Sequence, residues 1–129
     1  MERITETIYG QVVSKANNYM VGQSGDNRHI VKTQEIRDYE RSFIEQCQVY
    51  RDRLIDGRFT LFVTVYESNV RYDLDNALKT VLDCLQMARA IKDDNLCVKI
   101  VAEKRIDRYC PRVVYSIQEH EPKLFSHIG

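Results

Sequence analysis

The amino-acid sequence predicts a two-layer α/β (α+β) domain, with two main helices packed on one mixed β-sheet. Two observations carry that expectation. Residues 58–68, "RFTLFVTVYES", are strongly apolar and rich in β-branched and aromatic residues, as a central strand requires. On either side of them lie stretches whose apolar residues recur at helical spacing, and alternating stretches lie beyond those.

The elements follow in order. Residues 3–13, "RITETIYGQVV", alternate partly and read as a strand. Residues 14–33, "SKANNYMVGQSGDNRHIVKT", are rich in Asn, Gly and Ser and read as a loop or irregular hairpin. That is long for a connection in a compact domain, and long loops are often functional. Thr33 is a candidate N-cap for a helix over 34–54, in which Ile36, Tyr39 or Glu40, Phe43, Ile44, Cys47 and Tyr50 recur at helical spacing. Gly57 is the expected breaker. After the central strand comes a second helix, about 74–89. Strands follow at 95–105, "NLCVKIVAEKR", and at 110–120, "CPRVVYSIQEH", with a turn at Arg108–Pro111. The tail, "EPKLFSHIG", reads as loosely ordered.

The chain of 129 residues reads as a single domain with a core over about 3–120. Its formal net charge is zero, so global charge gives no support for a nucleic-acid partner, although a basic face is compatible with that total. Cys47, Cys84, Cys97 and Cys110 form no C-x-x-C pair and no zinc spacing with histidine. Buried, reduced thiols in a cytoplasmic protein are the plain expectation. No apolar run approaches membrane-spanning length, and "MERITETIYG" lacks the character of a signal peptide. His29, His120 and His127 are dispersed and read as surface residues.

The chemistry-bearing pattern is "RYDLDNALK", residues 71–79, followed by "IKDDNL". At ~100° per residue, Leu74, Leu78, Val81, Leu82 and Leu85 share one sector of the second helix. Asp75, Asn76, Lys79 and Asp83 share the neighbouring one, and Asp73 stands just before the helix. Two readings of this pattern stand side by side. In the structural one, Asp73 caps the helix, Asp75 and Lys79 form an i,i+4 pair, and Asp93, Asp94 and Asn95 are turn residues. In the functional one, the carboxylates hold a cation. Hard oxygen donors without neighbouring His or Cys favour Mg²⁺ or Mn²⁺, and such sites serve phosphoryl chemistry with a lysine steadying the phosphate or the water. A helix of about sixteen residues spans ~24 Å, so the two acidic groups meet in one subunit only if the chain folds back.

"DLDNALKTVLDCL…IKDDNL" resembles the central signature of the RusA family of Holliday junction resolvases: D-L-D-N-x-x-K-x-x-x-D-x-L, then an Asp pair before a strand. "SKANNYM" and "VKTQEIRDYERSF" resemble the family's Asn-rich aromatic segment and its loop-to-helix entry, so the resemblance covers roughly residues 8 to 118. It implies a RusA-like fold and a small homodimeric endonuclease that uses Mg²⁺ to cut four-way DNA junctions. The family's catalytic aspartates match Asp73, Asp75 and Asp94, and its lysine matches Lys79. Asp93 is the second member of the acidic pair, and Asp83 matches a recurrent position with a supporting or structural part. The implied reaction is in-line attack of a cation-activated water on a backbone phosphorus, leaving 5′-phosphate and 3′-hydroxyl ends, with paired symmetrical nicks from two-fold symmetry. Candidate DNA contacts are Lys15, Asn17, Asn18, Tyr19, Arg28, Lys32 and Arg71, with turn bonding for the asparagines and a core position for Tyr19 as the structural alternative. The rival functions are a nuclease of forks, flaps or plain duplex, and a catalytically silent DNA-binding module.

Overall fold

The computed structural model describes residues 3–14, 19–24 and 27–120. Its elements are β1 (Glu6–Tyr9), β2 (Tyr19–Ser24), β3 (Asn27–Lys32), α1 (Gln34–Gln46), β4 (Phe59–Glu67), α2 (Leu74–Met87), β5 (Cys97–Ile106) and β6 (Arg112–Glu119). A 3₁₀ turn, Asp94–Leu96, leads into β5. The main sheet has the order β1-β6-β4-β5, and it is mixed as expected: β4 runs parallel to β5 and antiparallel to β6. The segment read as a loop or irregular hairpin holds a regular one, since β2 and β3 pair antiparallel in a sheet of their own, from Tyr19↔Lys32 to Ser24↔Asn27.

β4 is central because it satisfies both requirements of a buried strand. Its backbone pairs on both edges, and Phe59, Leu61, Val63 and Val65 turn one buried face to the helices. The turn after β5 does not make a hairpin of neighbouring strands. β4 lies between β5 and β6, and Asp107 shapes the connection by accepting from the N–H groups of Tyr109 and Cys110 and from Arg112.

Two helix expectations are corrected. Thr33 caps α1, its hydroxyl accepting from Ile36 N–H at 3.4 Å, but α1 ends at Gln46, eight residues before the expected Leu54 and well before Gly57. The cause is Glu6. Its buried carboxylate accepts the N–H groups of Gln48 at 2.7 Å, Val49 at 2.8 Å and Tyr50 at 3.4 Å, so these donors leave the helical pattern. In α2 the fully buried stripe is Ala77, Val81, Cys84 and Leu85 with Thr80, while Leu74, Leu78 and Leu82 are only partly buried. Thr80 sets this rotation by donating its hydroxyl to Val13 C=O at 2.7 Å.

No disulfide joins the cysteines. Cys47 and Cys84 are buried as expected, Cys97 is half-buried, and Cys110 is exposed. No described helix is long and apolar enough to cross a membrane. The tail 121–129, with His127, lies outside the described residues.

Candidate active site

The chain leaves the sheet at Glu67, crosses residues 68–73 and enters α2. Lys104 of β5 closes this crossing, its ammonium donating to the carbonyls of Tyr72 at 2.9 Å and Val70 at 3.3 Å. Arg71 is exposed on it, and its N–H donates to Asn69 Oδ1. Asp73 occupies the N-cap position with extended backbone, φ −85° and ψ 132°, yet its side chain makes no cap hydrogen bond. It accepts only a long contact, 3.4 Å, from the Asn76 amide. Asp75 lies exposed in the first turn, where the helix dipole favours a carboxylate. Lys79 is exposed one turn further on. The i,i+4 pair of the structural reading is not formed: neither Asp75 nor Lys79 has an ion-pair partner among the described residues. So the strip Asp73, Asp75 and Lys79 is presented to solvent with its charged groups uncommitted.

The second acidic group lies at the other end of α2. Asp93 caps the 3₁₀ turn, accepting from Asn95 N–H at 2.8 Å, and Asp94 N–H donates to Gln86 Oε1 at 3.0 Å. The Asp94 carboxyl is pushed above its usual range by burial, by its hydrogen bond and charge contact with Asp93, and by the charge of Asp83. Asp83 therefore belongs with Asp93 and Asp94, not with Asp73.

Register fixes how far apart the two groups are. In the parallel β4–β5 pair, Phe59 faces Cys97 and Glu67 faces Ile106. Asp73 follows the Glu67 end, and Asp94 precedes the Cys97 end. α2 runs between them, and its 14 residues make it about 21 Å long at 1.5 Å per residue. Within one subunit the chain does not fold back to join them, and among the described residues no three acidic, histidine or cysteine side chains converge as a metal site.

The DNA-contact candidates divide. Lys15, Asn17 and Asn18 lie outside the described residues. Tyr19 opens β2, and Arg28 lies on β3 opposite Gln23. Lys32 is not a free cation, because Glu40 of α1 receives its ammonium at 2.8 and 3.1 Å. Arg71 remains exposed before the site. His120 is exposed as expected and contacts the Thr60 hydroxyl through Nε2 at 3.0 Å.

One acidic residue of the site region escaped sequence reasoning. Glu67 ends β4 on the same parity as Phe59, Leu61, Val63 and Val65, and its side chain is buried beside Asp73. The parity alone carried that signal: an acidic residue in step with the inward face of a central strand.

Comparison with known proteins agrees with this architecture. The family model described as "Endodeoxyribonuclease RusA" matches residues 10–118. The "Crossover junction endodeoxyribonuclease RusA" of Aquifex aeolicus (strain VF5) is 28% identical over 120 residues, covering 92% of this chain and 93% of that protein. With the matched span running from before β2 almost to the end of β6 and containing both acidic groups, the chain belongs to the RusA endodeoxyribonuclease family.

Proposed function

We propose that this protein resolves four-way DNA junctions in the cytoplasm, as a homodimeric, Mg²⁺-dependent endonuclease that makes paired symmetrical nicks, with Mn²⁺ as an alternative cation. The observation that carries this reading is the family match over residues 10–118, the span that contains Asp73, Asp75, Lys79 and Asp94. The donor set is all oxygen, which suits Mg²⁺ or Mn²⁺ over zinc. A cation also fits the chemistry at the start of α2, where Asp73 makes no cap bond and the neighbouring Glu67 carboxylate is buried without a donor.

When bound, the cation polarises phosphate oxygens and lowers the pKa of water. Asp73 and Asp75 hold it from the first turn of α2. Lys79, one turn on, stabilises charge on the scissile phosphate or orients the water. Asp94 comes from a second copy of the chain: a two-fold axis that sets α2 antiparallel to its copy lays each Asp94 against the Asp73 and Asp75 of the other subunit. The separation of the two groups within a subunit, and the half-buried Leu74, Leu78 and Leu82 beside the charged strip, support that arrangement. Two such composite sites cut two strands. Arg71, with Lys15, Asn17, Asn18, Tyr19, Arg28 and Lys32 of the 14–33 segment, contacts the DNA backbone and bases. Lys32 joins only by exchanging Glu40 for phosphate.

A mobile four-way junction offered beside linear duplex, forks and flaps tests the reading. Mg²⁺-dependent, symmetrical nicking of the junction with little cutting of duplex is expected. Equal cutting of every substrate would replace junction resolution with a broader nuclease activity. Binding without cutting would leave a DNA-binding module.

A further inference from the structure

Glu67 is 1% exposed, and neither oxygen of its carboxylate has a hydrogen-bond partner. The groups around it are committed elsewhere. Gln11 Oε1 accepts from Ser68 N–H at 2.8 Å, and the Gln11 amide donates to Val12 C=O at 3.1 Å. The Lys104 ammonium is near, yet it donates to Val70 and Tyr72 carbonyls. A buried carboxylate in this state is costly unless it is protonated or meets a cation. The two other buried acidic residues among the described residues show the contrast: Glu6 takes three backbone donors and a hydroxyl, and Glu40 takes Lys32.

The position matters as much as the burial. Strand parity puts Glu67 on the helix-covered face at the C-terminal end of β4, where α2 begins. Asp73 stands close by with a carboxylate that the helix does not use. The charge of Asp73 acts directly on the Glu67 carboxyl, so the two carboxylates are neighbours. Two neighbouring carboxylates with spare lone pairs repel each other until a cation lies between them.

We infer that Glu67 is a further ligand of the divalent cation, binding it together with Asp73 from the floor of the site. This rests on the cation reading given above for Asp73 and Asp75. It adds a buried, inflexible donor that strand β4 positions, beneath the exposed aspartates that α2 positions.

Mn²⁺ binding to the purified full-length protein, followed by electron paramagnetic resonance, tests the inference with wild type, E67Q and D73N. E67Q keeps the side-chain shape and is expected to weaken Mn²⁺ binding at least tenfold, while its melting temperature without metal stays equal or rises. A purely structural Glu67 predicts unchanged Mn²⁺ binding. If D73N loses Mn²⁺ while E67Q binds it like wild type, the Glu67 inference is overturned and the cation site stands. If wild type binds no Mn²⁺, both readings fall. Should E67Q not fold, wild-type protein carrying ¹³C-carboxyl glutamate decides: the Glu67 carbon signal must shift on Mg²⁺ addition, and a Glu67 signal indifferent to saturating Mg²⁺ overturns the inference.

Discussion

The hydroxyl of Tyr115 donates to the buried carboxylate of Glu6 at 2.6 Å, joining β6 to β1 at the point where α1 is cut short. Tyr115 also contacts Cys47 Sγ at 3.3 Å, and its ring packs against Phe43 and Tyr50. One carboxylate thus ties together both outer elements of the core. Removing it leaves the N–H groups of Gln48, Val49 and Tyr50 without their acceptor. Since each buried unsatisfied donor costs about 1–3 kcal/mol, E6A is expected to lose about 3 kcal/mol or more of stability in urea titrations at neutral pH.

The same residue sets an acid dependence. Burial raises the Glu6 carboxyl, but the hydrogen bonds from Tyr115, Val49, Gln48 and Tyr50 outweigh it, so its pKa in the fold lies below the ordinary value of 4.5. A depressed carboxylate contributes stability that is present above the unfolded pKa and lost as pH falls through the folded one. The gap in melting temperature between wild type and E6Q should therefore be full at neutral pH and narrow below about pH 4. A gap that is constant down to pH 2 would remove Glu6 as its source.

Asp75 lies exposed in the first turn of α2 and carries no ion pair among the described residues, so its substitution probes chemistry with little structural cost. D75N should reduce Mg²⁺-dependent junction cleavage by about a hundredfold or more, as loss of a direct ligand exceeds the 10–100-fold typical of supporting groups. Junction binding, read by gel shift, should persist or tighten because a negative charge is lost. Wild-type cleavage by D75N would remove Asp75 from the site. K79A should likewise keep its junction affinity within a few-fold while cleavage falls.

A composite site between subunits makes a prediction that a one-subunit site does not. D75N and D94N proteins are each expected to be inactive, since every site in either dimer contains one defect. When the two are mixed and allowed to exchange subunits, the mixed dimer gathers both defects in one site and leaves the other intact. Nicking of one strand should then reappear, without the paired second cut. Mixtures that stay as inactive as their parents would place Asp94 with Asp73 and Asp75 of its own subunit, or outside the chemistry.

Lys104 reaches over the end of β4 to two carbonyls of the crossing that delivers Asp73. K104M removes that clasp from an exposed position, so its melting temperature should fall by only a few degrees. Cleavage should fall about tenfold, with the loss in kcat larger than the loss in KM, because a small displacement of a positioned ligand is costly. K104R, which keeps charged donors in reach of both carbonyls, should recover much of it.

By itself the sequence determined what short-range physics controls. The apolar run of β-branched and aromatic residues over 58–68 makes β4, and the helical spacing of Leu74, Leu78, Val81, Leu82 and Leu85 makes α2 with Asp73, Asp75 and Lys79 at its open end. A helix of about sixteen residues also spans ~24 Å, so the two acidic groups could meet in one subunit only if the chain folded back. Tertiary structure decided whatever depends on a distant partner. α1 stops at Gln46 because Glu6, forty residues earlier, captures the N–H groups of Gln48, Val49 and Tyr50 just beyond the Cys47 C-cap. α2 turns its leucines partly outward because Thr80 bonds Val13. β4 inserts between two strands that are consecutive in the chain, which aligns β5 parallel to it and keeps Asp94 at the far end of the sheet from Asp73. Glu67 is the sharpest case. Its parity was written in the sequence, but only packing shows that a carboxylate lies buried beside Asp73 without a donor, because burial is a property of what the other elements cover.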